Sequence, residues 1–299
     1  VNHPSLKDRV AIVTGGGRGL GKVMALALVS AGARVLIVAR SAGEIAATVA
    51  EAGALGTGAC EGYVGDVSRW EDCVAAVARA EGLFGTVQVL VNNAALGFPP
   101  KQAALPLGTP FPFWTYAPDD IVAMVQVNLL GPFAMFHAVA PKMVAAGFGR
   151  VIGISTSRPT MRRPNAGPYG PIKAALEAST AIWAQELRET GVTANILLPG
   201  GPTDTAFVPG GDVGRRAKPF AAGKAPAGQE GTSMDLLPAA IMGPPILWLA
   251  SDESDGVTGR RFVARLGCGP CAGRGRSSRD AAAVRHAHHH VAASCSGIM

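Results

Sequence analysis

Short apolar runs recur along the chain at 10–13, 34–39, 58–63, 87–91, 149–154 and 192–198, each of the kind seen in strands buried on both faces. Between them lie longer stretches with apolar residues at helical spacing. One runs through 23–29 to a stop at Gly32, others cover about 42–52 and 68–81, one follows Asp119-Asp120 and reaches about 146, and one runs from Tyr169 to about 189. A helix near 238–250 and a short strand near 261–264 complete the series. Strict alternation of strand and helix predicts a parallel sheet with helices on both faces, whose strand ends converge on one ligand-binding edge.

Two stretches break this rhythm. Residues 96–118 are rich in proline and aromatics, including Phe98-Pro99-Pro100 and Phe111-Pro112-Phe113-Trp114. A loop this long in a compact domain is usually functional, here as the wall of an apolar pocket or as a subunit contact. Residues 207–233 are glycine, proline, alanine and lysine without periodicity, and are expected to form a mobile lid or loop.

The first strand leads into Thr14-Gly15-Gly16-Gly17-Arg18-Gly19-Leu20-Gly21 and then into a helix. Strand, glycine loop and helix N-terminus make a dinucleotide phosphate site: the glycines let the backbone approach the pyrophosphate and the helix supplies free N–H groups. The second strand ends at Ala39-Arg40, with no acid to hold a ribose 2′-hydroxyl. Arg40, with Arg18 in the loop, instead suits a 2′-phosphate, which favours NADP(H) over NAD(H). Asp66 ends the third strand in Gly65-Asp66-Val67, placed either to accept from an adenine amino group or to cap the next helix, a role Ser68 could also fill. Asn128 lies inside an apolar helix, and Pro132 four residues on releases its carbonyl from the usual helical partner.

Tyr169 and Lys173 are four apart at the start of a helix and share one face. A free tyrosine titrates near about 10, and a neighbouring cation lowers that value and makes the phenol usable as acid or base. Such a spacing also arises by chance on many helices.

Charged residues are only 16% of the chain and hydrophobic ones 48%, ample for a sizeable core and unlike a disordered protein. The net charge of +6 invites a nucleic-acid reading, but residues 260–299 hold seven arginines against one acid and supply the whole excess. Residues 1–259 are balanced, which argues against a nucleic-acid face. Five scattered cysteines predict a reducing compartment. The start lacks the pattern of a signal peptide, and no apolar run of membrane-spanning length is free of Gly, Pro or charge. A cytoplasmic location and no membrane partner are expected.

The glycine loop 14–21, Asp66, Asn92-Asn93-Ala94, Asn128, Tyr169-x-x-x-Lys173 and Pro199-Gly200 stand in one order along about residues 6–266. In that order they resemble the short-chain dehydrogenase/reductase superfamily. The resemblance implies an α/β fold with a single Rossmann-type, doubly wound parallel sheet of about seven strands. It implies a domain over 1–266, in which Tyr169 exchanges a proton with a carbonyl or alcohol oxygen and Lys173 lowers the tyrosine pKa and holds the ribose. Asn128 would support a proton path, and a hydroxyl thirteen residues before Tyr169 would steady the substrate oxygen. That position is Thr156, where the family has serine, with Ser157 as the alternative. Cofactor-binding positions carried over are Gly15, Gly17, Arg18, Gly19, Leu20, Gly21, Arg40, Asp66, Val67, Asn93, Ala94, Ala95 (often glycine in the family), Tyr169, Lys173, Pro199, Gly200, and Thr203 or Thr205.

The expected activity is NADP(H)-dependent interconversion of a carbonyl and a secondary alcohol, on a largely apolar small molecule, by a homodimer or homotetramer. Alternatives are an NAD-dependent alcohol dehydrogenase of the same fold and a non-catalytic nucleotide-sensing relative. The tail 267–299 resembles neither the core nor the family's ending and is expected to be a weakly ordered extension. Its Cys268, Cys271 and histidines are metal-ligand types but lack standard zinc spacing.

Overall fold

The computed structural model describes residues 4–104, 109–205, 207 and 236–266. Seven strands form one parallel sheet in the order β3-β2-β1-β4-β5-β6-β7. They are β1 (Val10–Thr14), β2 (Arg34–Ala39), β3 (Ala59–Val64), β4 (Val89–Asn92), β5 (Gly149–Ile154), β6 (Val192–Leu198) and β7 (Arg261–Val263). The helices are α1 (Gly19–Ser30), α2 (Ala42–Gly53), α3 (Trp70–Phe84), α4 (Pro100–Ala103), α5 (Pro118–Val125), α6 (Gly131–Ala145), α7 (Arg158–Arg162), α8 (Tyr169–Glu186) and α9 (Gly243–Ala250). This is the doubly wound α/β sheet that strict alternation predicts.

Alternation along the strands sorts the core into two layers. Leu36, Leu90, Val151 and Ile196 point to the face covered by α3, α6 and α8, against Val77, Met135 and Leu176. Their neighbours Ile37, Val91, Ile152 and Leu197 point to the other face, against Met24 and Leu28 of α1 and Ile246 and Leu249 of α9. The stretch Pro118–Ala145 is long and apolar enough by length and composition to cross a membrane. In the fold it packs Met124, Met135, Phe136 and Met143 into the interior.

Three local departures from the sequence pattern have physical causes. The helix expected from 68 starts at Trp70, because Asp66 Oδ1 accepts from both the backbone N–H and the hydroxyl of Ser68 and holds 66–68 in a turn. Neither Asp66 nor Ser68 caps α3, whose N-cap position is Arg69. The long helix after Asp120 is interrupted by a π-helical turn, Gln126–Leu130, just ahead of Pro132. The connection before Tyr169 contains α7. The proline-rich stretch also has structure of its own: Phe111 and Tyr116 are buried with Met124 and Ile172, while Phe113 and Trp114 are exposed. The expected lid at 207–233, apart from Phe207, and the tail 267–299 lie outside the described residues.

The far edge of the sheet is held by a buried cation. Arg150, 1% exposed, donates to the carbonyls of Ser251, Gly149 and Gly191 and pairs with Asp255. Arg9 and Arg150 both lie over the Phe148 ring, 3.9 and 4.1 Å from its centroid. Arg150→Ala leaves those carbonyls without their donor while Asp255 stays in water, and a loss of about 1–3 kcal/mol is expected. A fall in the urea midpoint at constant slope is the measurement that checks it.

Candidate active site

Parallel strands bring the ends of β1, β4, β5 and β6 to one edge, and the side chains there stitch the strands together. The hydroxyl of buried Thr14 donates to the Val91 carbonyl and accepts from the backbone N–H groups of Asn93 and Ala94, both at 3.0 Å. Asn93 returns its side-chain amide to the carbonyls of Thr14 and Gly15. The glycine loop hangs from this clasp. Gly15 and Gly19 have φ of +65° and +56°, which L side chains rarely adopt. A Cβ on Gly21 would stand 2.1 Å from the Gly15 carbonyl oxygen, so α1 closes on the loop only with glycine there. Buried Thr48 fixes the loop from α2 by donating to the Gly17 carbonyl. Arg18 at the N-cap position supplies no side-chain cap, and among the described residues no side chain hydrogen-bonds the N–H groups of the first turn, Gly19-Leu20-Gly21.

At the outer end of this groove both sequence-predicted cations are exposed and already face carboxylates. Arg18 lies 3.1 Å from Glu44, and Arg40 lies 3.9 Å from Asp66. Asp66 divides its oxygens between Ser68 and Arg40, and Val67 beside it is buried in the core.

Asn128, fully buried in the π turn, accepts from the Leu96 N–H at 2.7 Å and donates to the Leu96 carbonyl at 2.8 Å. Its side chain therefore clamps the strand-β4 exit that carries Ala94 and Ala95.

The end of β5 meets the first turns of α8. Lys173, 2% exposed, donates to the Ile154 carbonyl at 2.9 Å. Ser155 donates to Glu177, whose carboxylate is bound by Arg261 Nε at 2.9 and 3.1 Å. Arg261 also donates to the Thr156 carbonyl. Of the three hydroxyls here, that of Ser155 is spent on Glu177 and that of Ser157 on capping α7 through the Thr160 N–H. The Thr156 hydroxyl has no hydrogen-bond partner among the described residues. On the other side of the cleft, Phe207 stacks obliquely on Tyr169 with centroids 5.8 Å apart. Beyond β6, Gly200 has φ +95° and follows Pro199. The Thr203 hydroxyl turns back to the Gly201 carbonyl, whereas Thr205 lies beside Gly19 of the loop.

One electrostatic expectation is corrected. Lys173 does not draw the Tyr169 pKa down: its Nζ sits 5.9 Å from the ring centroid, committed to Ile154. Burial instead pushes the Tyr169 phenol above its ordinary value, and the cation that opposes this is Arg163. Burial pushes Lys173 down to about 8, with Glu177 opposing.

Sequence reasoning therefore missed Thr48, Glu177, Arg261 and Arg163, and took Thr14 only as the first residue of the glycine loop. Glu177 alone left a signal, four residues beyond Lys173 on the same helix face. Cys268 and Cys271 lie outside the described residues, among which no group of three or more potential metal ligands occurs.

A glycine-lined helix N-terminus beside a half-buried tyrosine and a buried lysine, at the carboxyl edge of a parallel sheet, defines a dinucleotide-dependent oxidoreductase. The family model described as short chain dehydrogenase matches residues 9–210, and the chain belongs to the short-chain dehydrogenase/reductase family, whose members bind NAD(P). It is 33% identical over 262 residues to an acetoacetyl-CoA reductase of Shinella zoogloeoides, covering 87% of this chain and 98% of that one. It is 31% identical to an NADPH-dependent aldehyde reductase-like protein, chloroplastic, of Arabidopsis thaliana, with 85% and 92% covered. Among solved structures, a 3-oxoacyl-acyl-carrier-protein reductase with bound NAD from Brucella melitensis superposes with a TM-score of 0.71 at 29% identity, covering 87% and 90%.

The depressed Lys173 pKa has a checkable sign. Between about 8 and its ordinary 10.5 the unfolded lysine binds more protons than the folded one, so stability rises with pH through that window. Between pH 7 and 9.5 the stability of the wild type should gain on that of Lys173→Met by roughly 2 kcal/mol, read from urea midpoints. A pH-independent difference would contradict the burial described here.

Proposed function

We propose that the chain is an NADP(H)-dependent enzyme interconverting a carbonyl and a secondary alcohol, with Tyr169 as proton donor and acceptor. The observation that carries this reading is Lys173, one turn from Tyr169 on α8, held on the carbonyl of Ile154 at the end of β5, two residues before Thr156.

A dinucleotide fits the residues present. A Cβ at Gly21 would collide with loop backbone, the positive φ of Gly15 and Gly19 shapes a cradle, and the first-turn N–H groups are uncapped, as an anion requires. Gly15, Gly17, Gly19, Leu20 and Gly21 would hold the pyrophosphate, Asp66 and Val67 the adenine end, and Asn93, Ala94 and Ala95 the inner ribose side. Lys173 and Tyr169 would hold the nicotinamide ribose, and Pro199, Gly200 and Thr205 its carboxamide side; Thr203 is less suited, its hydroxyl being turned back to Gly201. The bound cofactor supplies or accepts the hydride.

In reduction, Thr156 Oγ1 donates a hydrogen bond that steadies the substrate oxygen, and Tyr169 delivers its phenolic proton to that oxygen. A phenol whose pKa is raised by burial is kept protonated at neutral pH, as a donor must be. Lys173, poised near 8, restores the proton, and Asn128 holds the β4 loop in place. Phe207 and the buried ring of Tyr116 support an apolar surround for the reacting carbon. Exposed Val122, Leu130 and Phe133 with Ile182 of α8 support a homodimer or homotetramer built on α5, α6 and α8. The free Cys60 and Cys73 support a cytoplasmic setting.

NAD(H) is favoured by one observation, the carboxylates already facing Arg18 and Arg40. Both pairs are largely exposed, and such pairs are weak enough for a phosphate to replace them. A panel of carbonyl substrates followed by cofactor absorbance tests the assignment. A kcat/KM for NADPH at least about tenfold above that for NADH, reduced by Arg40→Ala, is expected; a preference for NADH would overturn the reading of Arg18 and Arg40.

A further inference from the structure

Two charged side chains that the proposed reaction does not use stand directly behind it. Glu177 of α8 and Arg261 of the edge strand β7 are both half-buried, and Arg261 Nε lies 2.9 and 3.1 Å from the two carboxylate oxygens. Tyr169, Lys173 and Glu177 follow one another at intervals of four, so one stripe of α8 carries all three. That stripe meets successive residues at the end of β5: Lys173 donates to the Ile154 carbonyl, and the Ser155 hydroxyl donates to Glu177 at 2.6 Å.

Thr156 comes next in the chain. The ladder between β5 and β6 ends with the Ser155 N–H on the Leu197 carbonyl at 3.0 Å, so Thr156 lies beyond the last rung. Arg261 supplies the hold that the ladder does not. In the sheet it stands level with Ile196 of β6 and, through Ile196, with Gly153 of β5, on the face that α8 covers. From there one guanidinium makes two contacts at once, Nε on Glu177 and Nη2 on the Thr156 carbonyl at 2.6 Å. Glu177 sets the plane of the fork, and the fork sets the peptide.

We propose that Glu177 and Arg261 are positioning residues of the reaction: through the Thr156 carbonyl they hold the Thr156 hydroxyl on the substrate oxygen that Tyr169 protonates. The proposal rests on the reading of Thr156 as the steadying hydroxyl and Tyr169 as the proton donor. It adds that the last strand of the sheet acts on the chemistry without touching substrate or cofactor. Threonine makes the hold matter more than serine would, because its branched Cβ restricts χ1 and the direction of Oγ1 follows the backbone of residue 156.

A double-mutant cycle between Arg261→Gln and Thr156→Val in the full chain tests this, with NADPH and a carbonyl that the wild type reduces. Arg261→Gln alone is expected to lower kcat about tenfold or more, with the dissociation constant for NADPH little changed. Thr156→Val removes the hydroxyl and keeps the shape, and should lower kcat by about 10²-fold. In the Thr156→Val background Arg261→Gln should cost nothing further, because the group it positions is gone. Arg261→Lys keeps a charge opposite Glu177 but has no fork to reach Thr156 as well, so it should not restore kcat. An equal cost of Arg261→Gln in both backgrounds, or full activity in Arg261→Gln or Arg261→Lys, overturns the proposal. If Thr156→Val itself leaves kcat unchanged, the reading of Thr156 fails and the proposal falls with it. Amide exchange followed by mass spectrometry reads the hold without any substrate. In Arg261→Gln the peptide spanning 155–160 should exchange about tenfold faster while β4 is unaffected. Unchanged exchange there overturns the proposal whether or not a carbonyl is reduced.

Discussion

The ammonium of Lys173 is buried on the carbonyl of Ile154, and the arrangement of the site follows from that contact. A buried cation is costly unless it is held, and here it is held at the one point where β5 ends and α8 begins. Ser155 to Glu177, Glu177 to Arg261, and Arg261 back to the Thr156 carbonyl close a ring of polar contacts around the same point. Thr156 is thereby presented with its hydroxyl unspent, while the hydroxyls on either side are consumed by structure. The thirteen-residue spacing to Tyr169 and this pattern of bonding are the grounds on which Thr156 rather than Ser157 is proposed.

Strand and helix positions could be read from the sequence wherever burial on both faces left little choice. β2 spans 34–39 in both descriptions because every residue between its ends is buried. The glycine loop was equally readable, since positive φ and close backbone approach admit few other residues. What escaped was of two kinds. Short elements such as α7 have one turn, two prolines or more nearby and no apolar periodicity, so nothing in the local pattern distinguishes them from loop. Contacts such as Glu177–Arg261 join residues 84 positions apart, and only the sheet order brings them together. The π turn at Asn128 was half visible, in the polar residue and the proline after it. Its consequence, the clamp on Leu96, depends on a partner 32 positions away.

The sign of the Tyr169 shift carries a more general lesson. Spacing predicts that Lys173 lies near Tyr169, but not how much water is excluded from both. Burial moves the two groups in opposite directions, the phenol up and the ammonium down, so each is held toward its neutral form. On the proposed mechanism the protonated phenol is the donor, and an ammonium near 8, still mostly protonated at neutral pH, is the group that returns its proton. Of the exposed cations singled out in the sequence, Arg18 and Arg40 each face a carboxylate.

The most direct test is replacement of Tyr169 by phenylalanine, which removes one hydroxyl and keeps the ring against Phe207. With a reduced substrate in hand, kcat/KM should fall by about 10²–10⁴-fold while the dissociation constant for the nicotinamide cofactor stays near that of the wild type. Unchanged turnover in Tyr169→Phe would contradict the assignment of Tyr169 as the proton donor.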